Sequence, residues 1–186
     1  MATLKSHALE GLLATPDPPE LGPGPRAGVQ SETTLRQAVD ELLKVEKLPA
    51  DRAQLVLALI LLWHDHLNIS HEIVQRIATR DGAFVHGIMH RREPDYGNAQ
   101  YWFNRVGRHP AFPEISEGVG ALPGLRADSD LRARLIPQGK WDPAGMIAAC
   151  EQAAQHENRA ERSRLLREVQ RVETQRLLNW MLRPDT

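Results

Sequence analysis

The amino-acid sequence predicts an all-α fold, a single-domain bundle of about six to eight helices that follows a Pro/Gly-rich amino-terminal arm. Three observations support this prediction. Apolar residues recur at helical spacing along most of the chain, and no segment shows the sustained apolar/polar alternation of a strand. No Asn-Gly or Asp-Gly turn joins two β-branched runs. The length of 186 residues suits one domain, which commonly has about 100–200 residues.

The amino-terminal segment is predicted to be an arm. Residues 14–30 contain five prolines and three glycines, which remove backbone donors and interrupt regular structure. We therefore expect residues 1–30 to form an extended or partly disordered arm and residues 31–186 to form a single helical domain. The amino terminus also lacks the apolar stretch and the small-residue cleavage site of a signal peptide.

Two long helices are expected after the arm. The first follows Ser31 and ends near Pro49, and its apolar residues recur at helical spacing. The second begins at Asp51, which is a good capping residue, and extends to Thr79 with a break expected near residues 68–70.

Shorter helices are expected in the middle of the chain. One covers residues 82–92 and stops before a proline. Asn98 is interpreted as the cap of the next helix, which runs to Val106, and a ligand contact is the alternative role for this residue. Residues 111–127 have the composition of a loop. Further helix starts are predicted at Asp128 and Asp142.

The last helix, residues 158–182, is predicted to be long and amphipathic. Its polar positions carry arginines interleaved with glutamates, among them Glu168 and Glu173. A solvated face with salt bridges is the ordinary interpretation of this pattern. A surface for a partner helix or for a homo-oligomer is the alternative.

Charge and cysteine content exclude several classes of protein. The chain has 23 basic and 24 acidic residues, so no nucleic-acid partner is expected, because general binding to phosphates needs a clustered positive excess. The one cysteine, Cys150, cannot form an intramolecular disulfide, which favours a reducing, cytoplasmic location and a buried structural thiol.

The most apolar run, Leu55–Trp63, is nine residues long and too short to cross a membrane as a helix.

Histidine is unusually frequent, and six of the eight histidines lie between His64 and His109. If the second helix is unbroken, its helical phase places His64, Asn68 and His71 in one polar stripe. His66 falls on the opposite, apolar side of that helix. We therefore expect His66 to be a packed core histidine.

The third helix carries a second pair of histidines, His86 and His90, which are four positions apart. This spacing places two imidazoles on one face, which suits a single divalent ion, and Glu93 is the candidate third ligand. The His86/His90 stripe would face the His64/His71 stripe if the two helices pack side by side. Solvated histidines on polar helix faces are the alternative.

Arg92 projects into the apolar arc of the third helix, where a guanidinium needs a partner. Its candidate partners in a structural ion pair are Asp65, Glu93 and Asp95. The alternative is an anion-binding arginine in a pocket with aromatic walls. The contiguous aromatic residues at 101–103 cannot all face one side of a helix, so we expect at least one of them to border solvent or a neighbouring chain. The candidate pocket residues are His64, Asp65, His71, Arg92, Asp95, Asn98, Tyr101, Trp102, Arg105 and His109.

The runs WHDHLNISH and HRREPDYGNAQYWFNRVGRHP resemble an uncharacterised, chiefly bacterial family of helical proteins. Its members share a W-H-D-x-L-x-x-x-H stretch and an H-R-R-E-x-D-x-x-N-A-x-Y-W-F-x-R-V-G-x-H-P stretch. The resemblance covers residues 63–110 and implies that the polar and aromatic residues of these two stretches belong to one motif set. It implies no cofactor and no activity.

These residues support two hypotheses for the function. The first is a polar pocket lined by His, Asp, Glu and Arg that binds a divalent metal ion or a small anionic ligand, as in a metal-dependent hydrolase with Glu93 or Asp65 as the base. The second is a non-catalytic interaction module in which the same polar cluster ties the helices together. The sequence does not decide between an enzyme and a binding module.

Overall fold

The computed structural model describes residues 9–44, 48–155 and 160–183, and these residues confirm the predicted all-α fold because they form helices and no strand. Residues 9–12 of the arm are helical. The other helices in chain order are α1 (Glu32–Lys44), α2 (Ala50–Trp63), α3 (Leu67–Val74), α4 (Arg80–Arg92), α5 (Tyr96–Val106), α6 (Phe112–Gly120), α7 (Pro123–Ala127), α8 (Ser129–Leu135), α9 (Pro143–Ala154) and α10 (Ala160–Met181), with a 3₁₀ turn at Pro137–Gly139 before α9.

Helix α2 lies at the centre of the bundle. All nine residues from Leu55 to Trp63 are buried, and the helix packs against α1, α3, α4 and α10. Because neighbouring helices cover this helix on every side, all of its faces in this run can be apolar. Among the described helices, none is both long and apolar enough to span a membrane.

The arm packs on the same core. Leu9, Leu12 and Leu13 are buried, and Arg167 of α10 donates hydrogen bonds to the carbonyl oxygen of Pro18. Residues 1–8 of the predicted arm lie outside the described part of the chain.

The predicted second helix is two helices, α2 and α3, because the chain turns at residues 64–66. Asp65 has a φ of 66°, in the left-handed region that aspartate tolerates better than most residues. Its carboxylate is held there by Arg92 and Arg26. The break predicted near residues 68–70 is therefore wrong by about one helical turn.

The helix caps agree only in part with those predicted. Asp95, rather than Asn98, caps α5 by accepting a hydrogen bond from the backbone N–H of Asn98. Asp51 lies within the first turn of α2 and makes no side-chain cap. The helix starts at Asp128 and Asp142 are confirmed, since both carboxylates accept a backbone N–H of the first turn.

Residues 111–127 are not the loop that the composition predicts. They form α6 and α7, each with a proline in its first turn. Proline is tolerated there because the first N–H groups of a helix have no acceptor within the helix. The described residues therefore form more helices than predicted. Residues 158 and 159 of the predicted last helix lie outside the described part of the chain.

Cys150 of α9 is buried, as predicted for a structural thiol. Burial raises the pKa of this thiol to about 11. A thiol with so high a pKa is protonated at neutral pH and is a poor nucleophile.

Helices α4 and α5 pack closely because Gly87 lies against the ring of Phe103. A Cβ atom at Gly87 would lie 2.8 Å from two ring carbons of Phe103, which is too close for packed side chains. This close approach brings the histidines of α4 next to Trp102 of α5.

We expect Gly87→Ala to lower the free energy of unfolding by about 1–3 kcal/mol, because overpacking against Phe103 outweighs the better helix propensity of alanine. The matched control is Gly97→Ala in α5, where the nearest atom to the new Cβ would lie 3.9 Å away and no loss is expected. Denaturant unfolding of both variants measures the difference. Equal effects of the two substitutions would contradict the close approach.

Candidate metal centre

Helices α3 and α4 bring three histidines together. His71 lies on α3, and His86 and His90 lie on consecutive turns of α4. One ring nitrogen from each residue lies within 4.8 Å of the others, and the ring centroids are 4.8, 4.9 and 5.2 Å apart. We call these three residues the histidine cluster. It joins the predicted metal-binding pair on α4 to a predicted pocket residue from α3.

His86 is the most enclosed member of the cluster. Its ring stacks on Trp102 at a centroid distance of 3.8 Å and on His90 at 4.8 Å. Both of its ring nitrogens are buried without a hydrogen-bond partner among the described residues, although buried polar atoms are usually paired. Burial, with smaller effects from His90 and His71, lowers the pKa of His86 to about 3. His86 is therefore neutral at neutral pH, which is the form that binds a metal ion.

Glu93 contacts the cluster through His90. Its Oε2 lies 2.9 Å from Nδ1 of His90, which leaves Nε2 of His90 as the nitrogen available to a metal ion. The sequence predicts Glu93 as a direct ligand, but the structure places Glu93 behind His90 and brings His71 beside the His86/His90 pair instead. A carboxylate behind a histidine fixes the tautomer and the orientation of a metal ligand. Burial lowers the pKa of His90, and Glu93 opposes that shift.

Asp65 and Arg92, both predicted pocket residues, form a separate buried ion pair. Nη2 of Arg92 donates to Oδ1 of Asp65 over 2.7 Å, and both side chains are 1% exposed. Arg26 of the arm donates to the same oxygen over 2.6 Å. Arg92 also donates to three backbone carbonyls. The structure thus agrees with the predicted structural ion pair and not with an anion-binding Arg92, because protein acceptors surround the guanidinium.

His64 and His66 hold the arm. Nδ1 of the buried His64 accepts the backbone N–H of Gln30, and Nε2 donates to the carbonyl oxygen of Leu12 over 2.8 Å. The predicted stripe of His64 with His71 is wrong, because the turn after α2 separates these residues. His66, predicted in the core, is only half-buried, and its Nε2 lies 2.8 Å from the carbonyl oxygen of Gln30. Burial, partly offset by the Leu12 carbonyl, lowers the pKa of His64.

His109 also has a structural role. Its Nε2 lies 2.7 Å from Oδ1 of Asp81, and its Nδ1 accepts the backbone N–H of Ala111. Burial raises and the hydrogen bond with His109 lowers the pKa of Asp81, and the net shift is downward. The contact ties the start of α4 to the segment before α6.

The remaining predicted pocket residues lie on or beside α5. Trp102 covers one face of the histidine cluster, and the guanidinium of Arg105 lies 5.5 Å from the Trp102 ring. Tyr101 is 53% exposed, which confirms that at least one of the contiguous aromatic residues borders solvent. Nδ2 of Asn98 lies 3.5 Å from Nδ1 of His90. Asp95 acts as the cap of α5.

One buried ion pair was missed by the sequence analysis. Arg91 donates to the two carboxylate oxygens of Glu173 over 3.3 and 2.5 Å, and both side chains are fully buried. Glu173 is predicted on the solvated face of the last helix. It lies instead in helical register with the buried Leu166, Val169 and Leu177, and that register was the available signal. Burial lowers and Glu173 raises the pKa of Arg91, with a net upward shift.

The predicted pocket is therefore several separate groups of residues. Among the described residues, only the histidine cluster combines a group of metal-ligating atoms with a buried histidine, His86, whose ring nitrogens have no hydrogen-bond partner. No protein-family model, curated protein or solved structure matches the chain. A function for this protein has to be inferred from the chemistry of the histidine cluster itself.

Proposed function

We propose that this protein binds a divalent transition metal ion, best fitted by Zn²⁺, through His71, His86 and His90. The observation that carries the proposal is the histidine cluster, in which three imidazole nitrogens lie within 4.8 Å of one another. The unpaired, buried nitrogens of His86 support it, because a metal ion would supply the missing partner for one of them.

Binding of an ion needs a shorter distance between the nitrogens and a rotation of one ring. Tetrahedral Zn²⁺ with Zn–N distances of about 2.0–2.1 Å separates its ligand nitrogens by about 3.3–3.4 Å. Nitrogens that lie within 4.8 Å of one another would close by at most about 1.5 Å. The rings of His86 and His90 are stacked with an interplanar angle of 14°, and an imidazole lone pair lies in the ring plane. His90 would therefore turn about its side-chain bonds to share an ion with His86, whose ring is held against Trp102.

The donor set also indicates which ions fit. Neutral imidazole suits Zn²⁺ and other late first-row ions, whereas Mg²⁺ and Ca²⁺ prefer oxygen ligands. Glu93 supports this preference by holding His90 with one ring nitrogen facing away from the carboxylate.

The alternative, a structural polar network, accounts for the other polar residues. Asp65 and Arg92 form an ion pair, and His109 has its own partner in Asp81. The same explanation does not extend to His86, since neither of its nitrogens has a partner among the described residues. A purely structural histidine at this position would carry the cost of two unpaired buried nitrogens, whereas an apolar ring could make the same stacking contacts without it.

Metal analysis of protein purified without a histidine tag tests the proposal. After loading with Zn²⁺ and desalting, we expect about one ion per chain for the parent protein and a large loss for His71→Ala and His90→Ala. The matched control is His66→Ala, which removes a half-buried histidine outside the cluster and should retain the metal.

Two results would overturn the proposal. One is a parent protein that holds less than about one-tenth of an ion per chain after loading with Zn²⁺, Fe²⁺ and Co²⁺ in turn. The other is an equal loss of metal in His66→Ala and in the cluster variants, which would show binding outside the cluster. Circular dichroism of each variant confirms that it is folded.

A further inference from the structure

We infer that the metal centre keeps one coordination position for an exchangeable ligand, either a water molecule or a small anion that replaces it. This inference rests on the proposed function and adds the class of ligand that the centre accepts. Such a centre is of the kind that activates small molecules, because structural zinc sites are closed by four protein ligands.

The number of protein ligands supports an open position. Among the described residues, the cluster contains three metal-ligating side chains and no cysteine or carboxylate. The neighbouring carboxylate, Glu93, is hydrogen bonded to His90 through Nδ1 and so lies on the side of the ring away from the available nitrogen. Four-coordinate Zn²⁺ would take its fourth ligand from solution.

The charge of the site favours an anion in that position. Three neutral imidazoles leave the full charge of a divalent ion uncompensated, and Glu93 offsets part of it only from behind His90. His86 and His90 are buried, and a charge in low-dielectric surroundings gains more from a counter-charge than the same charge in water. Hydroxide or another small anion would supply that counter-charge.

Exposure indicates where and how large a ligand can enter. His71 is half-buried, while His86 and His90 are buried, so His71 on α3 is the member of the cluster most accessible to solvent. Trp102 is stacked against His86 and leaves no room between the two rings. A ligand of a few atoms therefore fits this position better than a large substrate.

Cobalt substitution tests this inference. Co²⁺ takes the same ligands as Zn²⁺, and its visible absorption depends on the number and type of ligands. We expect the Co²⁺-loaded parent protein to show a visible spectrum that shifts saturably when sodium azide is added at constant ionic strength with sodium perchlorate. His66→Ala should give the same shift, because His66 lies outside the cluster.

The outcomes separate the two proposals. A cobalt spectrum that azide does not change would overturn the exchangeable position and leave the metal site standing. Absence of a protein-dependent cobalt spectrum, together with absence of bound Zn²⁺, would overturn the metal site and the exchangeable position together. A saturable shift in the parent protein that His71→Ala abolishes would support both.

Discussion

Glu173→Gln is expected to lower the free energy of unfolding by about 3–5 kcal/mol, because it leaves the guanidinium of Arg91 buried without a counter-charge. Both side chains are fully buried, and Arg91 donates to both carboxylate oxygens. Arg91 also donates to the amide oxygen of Gln170, which carries no charge. Denaturant unfolding followed by circular dichroism measures the loss, with an unchanged denaturant dependence expected if the folded state is intact.

The matched control lies on the same helix. Glu168→Gln removes a carboxylate that pairs with Arg171 in a partly exposed ion pair, and its expected cost is less than about 0.5 kcal/mol. The double substitution Arg91→Met with Glu173→Leu should recover most of the loss, because it removes both charges and fills the space with apolar atoms. Equal costs for Glu173→Gln and Glu168→Gln would show that the buried pair does not support the fold.

His86→Phe is expected to abolish metal binding while the free energy of unfolding of the metal-free protein stays the same or rises by up to about 1 kcal/mol. Phenylalanine keeps a ring between Trp102 and His90, and it removes two buried nitrogens that have no partner among the described residues. A residue retained for function at a cost to stability gives this pattern. Metal content and denaturant unfolding of the same preparation measure both effects.

His109→Phe is the matched control and should give the opposite pattern. His109 is also buried beside aromatic rings, but both of its nitrogens have partners, Asp81 and the backbone of Ala111. We expect this variant to keep its metal and to lose about 1–3 kcal/mol, since the buried N–H of Ala111 becomes unpaired and the partly exposed carboxylate of Asp81 loses its contact with His109. Loss of stability in His86→Phe together with retained metal would contradict the assignment of His86.

The pH dependence of the same variant gives an independent readout. The pKa of His86 in the folded protein is about 3, below its value of about 6.5 in an unfolded chain. The unfolded state therefore binds the proton first, and the contribution of His86 to the stability of the metal-free parent protein falls as the pH drops below about 6.5. From pH 7 to pH 5 the stability of His86→Phe should gain about 2 kcal/mol relative to the parent protein, because phenylalanine does not titrate.

Local sequence patterns predicted the elements whose causes are local. The helical spacing of apolar residues predicted the fold class, and the caps at Asp128 and Asp142 were visible because a cap bonds to its own first turn. The pairing of His86 with His90 was predictable for the same reason, since residues four apart on one helix share a face.

Long-range contacts decided the rest of the candidate site. The turn at Asp65 contains no glycine or proline that would indicate it in the sequence. It is stabilised by ion pairs of Asp65 with Arg92 and Arg26, which lie 27 and 39 positions away in the chain. That turn directs His64 towards the arm and starts the new helix that carries His71 to the cluster.

By itself, the sequence determined that the chain forms helices, that α2 is a core helix and that α4 presents two histidines on one face, because each follows from residues within a few turns of one another. Tertiary structure alone decided that His71 joins them while Glu93 lies behind His90, and that Glu173 pairs with Arg91 in the core. The physical reason is that helix periodicity specifies which residues share a face, whereas the packing of helices distant in sequence specifies which faces meet.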